Sequence, residues 1–334
     1  MIATGDLHSC GLDTTGVVWC WGLNNLGQLG INSTTNQLNP QPVDTELRFT
    51  TLAAGSRHSC GIDTSGDAWC WGQNQYGQLG NNTKIDSLVP TRVTGNHTFT
   101  SLTTSSSTVC GLDNMNKAWC WGRNQNGQLG NNSSVDQSEP VAVFGNRSFK
   151  QIVTNGSTSC GLANNAQVWC WGRGVQGELG NGTTTPNQLT PVAVSSPRSY
   201  VSLSDLCALD TNGAAWCWGL VDGAVRTTPV AKHPGYSFSA LVRNRCGISN
   251  STVLCWGTNS NGQLGNGSEA NTITPTPIVG DLEVVQLATS TNHTCAVDTN
   301  GKGWCWGANS YGQLGVGDQT NRNIPVELQV LGDS

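Results

Sequence analysis

Apolar residues along this chain come in alternating runs of about five or six, set between clusters of Gly, Asn, Asp, Ser and Thr. No stretch carries the three-to-four spacing of an amphipathic helix. In residues 41–81 the pattern predicts a strand opening at Gln41-Pro42-Val43, a second at Phe49-Thr50-Thr51-Leu52-Ala53-Ala54, a third from Arg57 to Asp63 and a fourth from Asp67 to Gly72. A glycine-bounded connector follows, Asn74-Gln75-Tyr76-Gly77-Gln78-Leu79-Gly80-Asn81, whose leucine is expected to insert between neighbouring sheets. Short strands with abundant turn residues predict an all-β fold.

This unit repeats. Trp19-Cys20-Trp21-Gly22 returns around Cys70, Cys120, Cys170, Cys217, Cys255 (with Leu254 in place of the first Trp) and Cys305, and each copy follows a second cysteine: Cys10, Cys60, Cys110, Cys160, Cys207, Cys246 and Cys295. Within Cys10 to Cys20, a three-residue loop at 14–16 puts Gly16 where a left-handed residue is needed and sets Cys10 opposite Cys20. Opposed residues on antiparallel strands lie roughly 4.5–5.5 Å apart, within reach of a disulfide. The sixth copy is one residue shorter, and a two-residue loop, Asn250-Ser251, restores the pairing of Cys246 with Cys255. Asn116 is the next-best residue at the left-handed position, whereas Ala166 has no such justification and points to a different turn. Opposite the first Trp of the hairpins stands Gly or Ala, so the rings are expected to pack across bare backbone as core.

Four short strands per repeat describe a propeller blade, and the repeats number seven. Residues 1–10 align with 51–60, so the first repeat lacks its Pro-Val strand, while Ile324-Pro325-Val326-Glu327-Leu328 is an unused copy. These end segments are therefore expected to pair and close the ring, with residues 1–330 forming a single propeller and 331–334 a short tail. Met1 starts inside a strand, so a targeting segment is expected to be absent from this chain.

Gly77-Gln78-Leu79-Gly80 and its copies, with Pro-x-x-Val and Gly-x-x-His-Ser-Cys-Gly, resemble the regulator of chromosome condensation repeat family. Gln-Leu-Gly or Glu-Leu-Gly follows Trp-Gly in six of the seven repeats, and the resemblance runs along nearly the whole chain. It implies a seven-bladed β-propeller and is strongest toward cysteine-bearing exported members such as bacterial surface propellers and plant receptor ectodomains. The family's namesake is a guanine-nucleotide exchange factor for a small GTPase, which makes exchange the alternative function. This chain shows no wedge-like insertion and no basic tail. The family's ultraviolet receptors carry Trp where Gly55-Ser56-Arg57-His58 stands here, and the Trp residues of this chain are expected on inner strands.

Charged residues make up only 11% and the formal net charge is −5, which argues against a nucleic-acid surface. Fourteen cysteines in local pairs point to an oxidising compartment, extracellular or cell-surface. Metal sites want clustered ligands, and isolated pairs near ten-residue spacing do not supply them. Closing each loop is worth about 2–3 kcal/mol in the chain-entropy account. Eleven N-x-Ser/Thr sequons fit a secreted glycoprotein, and no apolar run reaches membrane-spanning length.

The fifth repeat breaks the pattern. After Trp218-Gly219 it has no Gly-Gln-Leu-Gly, and Arg226, Lys232, His233, Arg243 and Arg245 gather in sequence around one acid, Asp222. These five, with Tyr236, are the candidate partner-binding residues. His8, His58 and His293 recur at one repeat position, which favours structure over catalysis. No nucleophile, base or metal set converges, so a non-catalytic, monomeric scaffold without cofactor is expected, presenting loops to a protein partner. A glycan is the less favoured ligand, since few loop aromatics (Tyr76, Tyr236, Tyr311) are available.

Overall fold

The computed structural model describes residues 1–243 and 245–329. Among them, 28 strands form seven four-stranded antiparallel sheets, each built from consecutive strands, and no helix occurs. The expected tail at 331–334 lies outside the described residues. In the second sheet Phe49–Ala54, His58–Asp63, Ala68–Gly72 and Ser87–Arg92 follow one another outward, with Ala53 facing Cys60, Cys60 facing Cys70 and Cys70 facing Thr91. The first strands of successive sheets neighbour one another around the ring, and Ile2–Thr4 neighbours Val284–Thr289. Seven blades in a ring is the observed architecture.

All seven cysteine pairs are bonded as the loop lengths require, with Cα atoms 4.1 Å apart in each, the sixth included. Each joins the second strand of its blade to the third. Gly61 faces Trp69 and Ala208 faces Trp216, so the bare partner predicted opposite the ring is present. The tryptophans, however, lie on the third strand of each blade and not on the inner one. The fourth hairpin turn also departs from expectation: Ala166 adopts the left-handed conformation itself (φ 66°), and Ala163 N–H still donates to the Gln167 carbonyl at 2.9 Å. The register set by Cys160 and Cys170 keeps the turn despite its wrong residue.

Ring closure differs from the expectation. Gln37–Pro42 is the outermost strand of the first blade, where Trp19 faces Pro42, and Arg322–Glu327 is the outermost strand of the seventh, where Cys305 faces Val326. Among the described residues the two end strands therefore share no sheet. The Pro-Val strand lies beside the hairpin that precedes it because the connector returns the chain to its own blade: Asp44 N–H donates to the Gly30 carbonyl at 2.9 Å. An edge position also suits proline, which has no N–H for a further strand. Closure rests on side chains and connector. Ile2 N–H donates to Gln286 Oε1 (3.0 Å), Gln286 Nε2 donates to the Ile2 carbonyl (3.2 Å), and Gly317 N–H donates to the Leu38 carbonyl (3.0 Å).

The core sits between blades. Leu29 from the first blade's connector packs with Cys10, Cys20, Val43, and with Phe49 and Trp71 of the second. The connector leucines 29, 79, 129, 179, 264 and 314 are at most 1% exposed, so they insert between sheets as the sequence predicts.

Candidate binding cleft between the fifth and sixth blades

The connectors show what a regular seat looks like. Five of the six wind around a buried asparagine, the fourth having Gly174 at that place: Asn74 Oδ1 accepts from Leu79 N–H (2.9 Å), and Asn74 Nδ2 donates to the Thr83 and Ile85 carbonyls (3.1 and 3.0 Å). Asn24, Asn124, Asn259 and Asn309 hold their own leucine amides in the same way. The loop then lodges against the next blade. Trp121 Nε1–H donates to the Gln78 carbonyl (3.0 Å), Trp171 to Gln128 (2.9 Å), Trp218 to Glu178 (2.9 Å) and Trp21 to Gln313 (2.9 Å). Gly80 lies flat on that indole, where a Cβ would come 2.7 Å from Trp121 Nε1.

Between the fifth and sixth blades the seat is open. Ala215–Val221 turns directly into Ala224–Lys232 through Asp222 and Gly223, both with positive φ, and Val221 faces Ala224. Trp256 nonetheless keeps the pose of its counterparts: its ring lies 5.7 Å from Phe238, as Trp121 lies 5.7 Å from Phe99. It is 3% exposed, and its indole nitrogen has no acceptor among the described residues. Trp71 and Trp306 also lack one, but Gly30 and Gly265 of the preceding connectors cover them. At Gly257 an added Cβ would meet nothing within 4 Å among the described residues, whereas at Gly72 it would come 3.0 Å from Gln28 Cα.

The resulting cleft encloses about 400 Å³. Trp256, Leu206 and Leu220 form its apolar lining, and Lys232, Arg243 and Arg245 supply positive charge against Asp205 and Asp222. Lys232 replaces the valine of Pro-x-x-Val, the position held by the buried side chains of Val43, Val93, Val143, Val194 and Ile278. It is 6% exposed and ion-paired with Asp222. Arg245 Nη1 donates to Thr258 Oγ1 (2.8 Å), and Arg243 N–H donates to Ser204 Oγ (2.9 Å). Burial pushes the Asp205 carboxyl above its usual range, although Arg243 and Arg245 pull the other way, and burial lowers Arg245 against the opposing pull of Asp205. Asp205, Arg243 and Arg245 also line an adjoining hollow of about 240 Å³ among the inner turns.

Of the six candidate residues, the structure brings Lys232, Arg243 and Arg245 into this cleft. His233 stands behind its wall, edge-on to Trp256 at 4.4 Å, and burial, aided by the charge of Lys232, holds its imidazole down to about 4. Arg226 is exposed on the outer strand opposite Gly219, and Tyr236 stacks on Phe238 (5.9 Å) in a loop that meets the hairpin turn at Gly213. Neither lines the cleft. Sequence reasoning missed Trp256 and Asp205. Trp256 could have been found by asking which tryptophan follows the one absent connector.

Two of the three recurrent histidines, His8 and His293, bond across blades, whereas both ring nitrogens of the buried His58 lack a partner among the described residues. His8 Nε2 pairs with Ser59 Oγ (2.8 Å) and His293 Nε2 with Ser9 Oγ (2.8 Å), and all four side chains are at most 1% exposed. Ser59 Oγ in turn donates to the Gln28 carbonyl at 2.9 Å. These Ser–His pairs are sealed from solvent. Among the described residues no three His, Cys, Asp or Glu side chains converge to hold a metal, and no helix is long and apolar enough to cross a membrane.

No curated protein sequence matches the chain. Solved structures show the same fold at low identity. Human WBSCR16 is 19% identical with a TM-score of 0.64, covering 99% of this chain and 82% of its own. Yeast RCC1 (Prp20), solved bound to Kap60, is 20% identical with a TM-score of 0.60, covering 99% and 74%. The CRINKLY WD40 ectodomain of the Arabidopsis thaliana receptor kinase ACR4 is 20% identical with a TM-score of 0.57, covering 92% and 94%. The family model of the regulator of chromosome condensation (RCC1) repeat matches residues 15–62, 65–112, 116–162, 165–206, 250–297 and 300–334, passing over 207–249, where the cleft residues concentrate. On these six matched repeats and seven four-stranded blades, the chain belongs to the RCC1 repeat family.

Proposed function

We propose that this chain is an extracellular, non-catalytic binding module that engages a protein partner at the cleft between its fifth and sixth blades. The observation that carries the reading is the local loss of symmetry: where a regular seat holds a Gly-Gln-Leu-Gly connector, this one presents Lys232, Arg243 and Arg245 beside Trp256, whose indole nitrogen lacks a connector acceptor. Aromatic and arginine side chains in a partly desolvated pocket are the usual anchors of protein interfaces. Seven disulfides support an oxidising, exported setting, as does the fold shared with receptor ectodomains. A stapled ring also loses little freedom when it binds, so more of the contact energy is left as affinity.

The test is capture from extracellular material with the oxidised chain as bait, beside an R243E/R245E double variant. The reading expects a protein retained by the first and lost by the second. Equal retention by both would remove the basic sector from the interface. Accelerated nucleotide release from a small GTPase would favour exchange activity instead.

A further inference from the structure

Resting on the reading of this cleft as a partner site, we infer that its occupant is a glycine-bounded, glutamate-bearing turn of the partner protein, seated as the absent connector would be. Three features shape the seat for such a turn. The buried Trp256 Nε1–H has no acceptor among the described residues, where four counterparts bond a connector carbonyl at 2.9–3.0 Å. Gly257 leaves open the space that a connector backbone fills elsewhere, so a main chain can approach closely. Charge selects the side chain. In the seat between the third and fourth blades, Gln128 Nε2 donates to the Gly156 carbonyl (3.0 Å) in the next blade's inner turn. Here the next inner turn carries Arg243 and Arg245, which with Lys232 outnumber Asp205 and Asp222 in the lining, so a glutamate at the same place meets an excess of positive charge. The fourth connector already uses Glu178 at this position, bonded to Arg173 at 2.9 Å.

The probe is a cyclic peptide copying residues 174–186, whose ends lie close in the native loop, with Gly174 N–H 3.2 Å from the Pro186 carbonyl. Titrated calorimetrically into the intact oxidised chain, it should bind with one-to-one saturation. Trp256→Phe keeps the ring and removes the donor, and should weaken binding about fivefold to tenfold, the worth of one hydrogen bond. A peptide with Glu178→Gln should lose about tenfold or more. Replacing residues 220–225 by the sequence of 173–187 fills the seat from within and should abolish binding. Binding no tighter than a scrambled cycle, or binding indifferent to both Trp256→Phe and the glutamine peptide, overturns the inference whether or not the graft folds. Partner capture that depends on Arg243 and Arg245 alongside a silent peptide would sink this inference alone. A binding peptide with no captured protein would sink only the partner reading.

Discussion

The indole N–H of Trp69 donates to Asp63 at 2.9 Å, and the other oxygen of that carboxylate accepts from the turn amides of Ser65 and Asp67 at 2.8 and 3.0 Å. One side chain thus ties the hairpin turn to the ring lying over it. Asp13–Trp19, Asp113–Trp119, Asp210–Trp216 and Asp298–Trp304 repeat the bond. Asp63→Ala should destabilise the protein by about 1–3 kcal/mol, because three donors lose their acceptor in a half-buried site. Chemical denaturation measures it, and an effect below a few tenths would show the bond to be incidental.

Ala166 supplies the reciprocal case. A left-handed alanine is strained by about 1–2 kcal/mol, part of which glycine returns through its freer unfolded state. Ala166→Gly should therefore stabilise by about 0.5–1 kcal/mol, while Gly16→Ala, at φ 86°, should do the opposite. Thermal midpoints moving the same way in both variants would contradict this.

Acid should weaken the fold in a defined window. Burial lowers His8 from 6.5 to about 4, and His58 and His293 from 6.5 to about 3. The unfolded chain then binds more protons than the folded one at intermediate pH, so stability is fully present above about 6.5 and is lost as pH falls toward 3–4. Each tenfold loss of proton affinity on folding corresponds to about 1.4 kcal/mol, making the combined loss on the order of several kcal/mol. A second decline follows at lower pH. At Asp13, Asp210 and Asp298 burial alone would raise the carboxyl, but hydrogen bonds from Trp and turn amides outweigh it and hold the group below its usual range. His58→Thr copies the residue standing at this position in the third and fourth repeats, Thr108 and Thr158. It should shrink the difference in urea midpoint between pH 7 and pH 5, and an unchanged difference would acquit His58.

The sulfurs make a stoichiometric prediction. Denatured but unreduced protein should show no reactive thiol, and reduction should release fourteen. Replacing Cys60 and Cys70 together by serine should cost about 2–3 kcal/mol in the loop-closure account, read as a shift in denaturation midpoint. Thiols appearing before reduction would undo both the pairing and the case for an oxidising compartment.

The hairpins were legible because everything fixing them is local: loop length sets register, and register sets which cysteines meet. The assignment of the Pro-Val strand was not, since it lies between two hairpins in sequence and either could take it. Bonds such as Asp44 to the Gly30 carbonyl decide the matter, and they exist only once the connector has folded around its asparagine. The cleft lay in between. Loss of the connector and the cluster of cations were visible, and Lys232 could have been recognised by aligning Pro229-Val230-Ala231-Lys232 with Pro40-Gln41-Pro42-Val43. That Arg226 would fall outside the cleft required the register of Gly219 against it.

Because every sheet is made from one uninterrupted segment, no boundary between blades is topologically privileged. Joining residues 1 and 329 by a short linker and reopening the chain at any other junction, such as 95–96, should yield a circular permutant with the same sheets. The same property lets a whole blade be copied or deleted as a cassette, so an array of this kind can grow by tandem duplication without any strand having to change its partners.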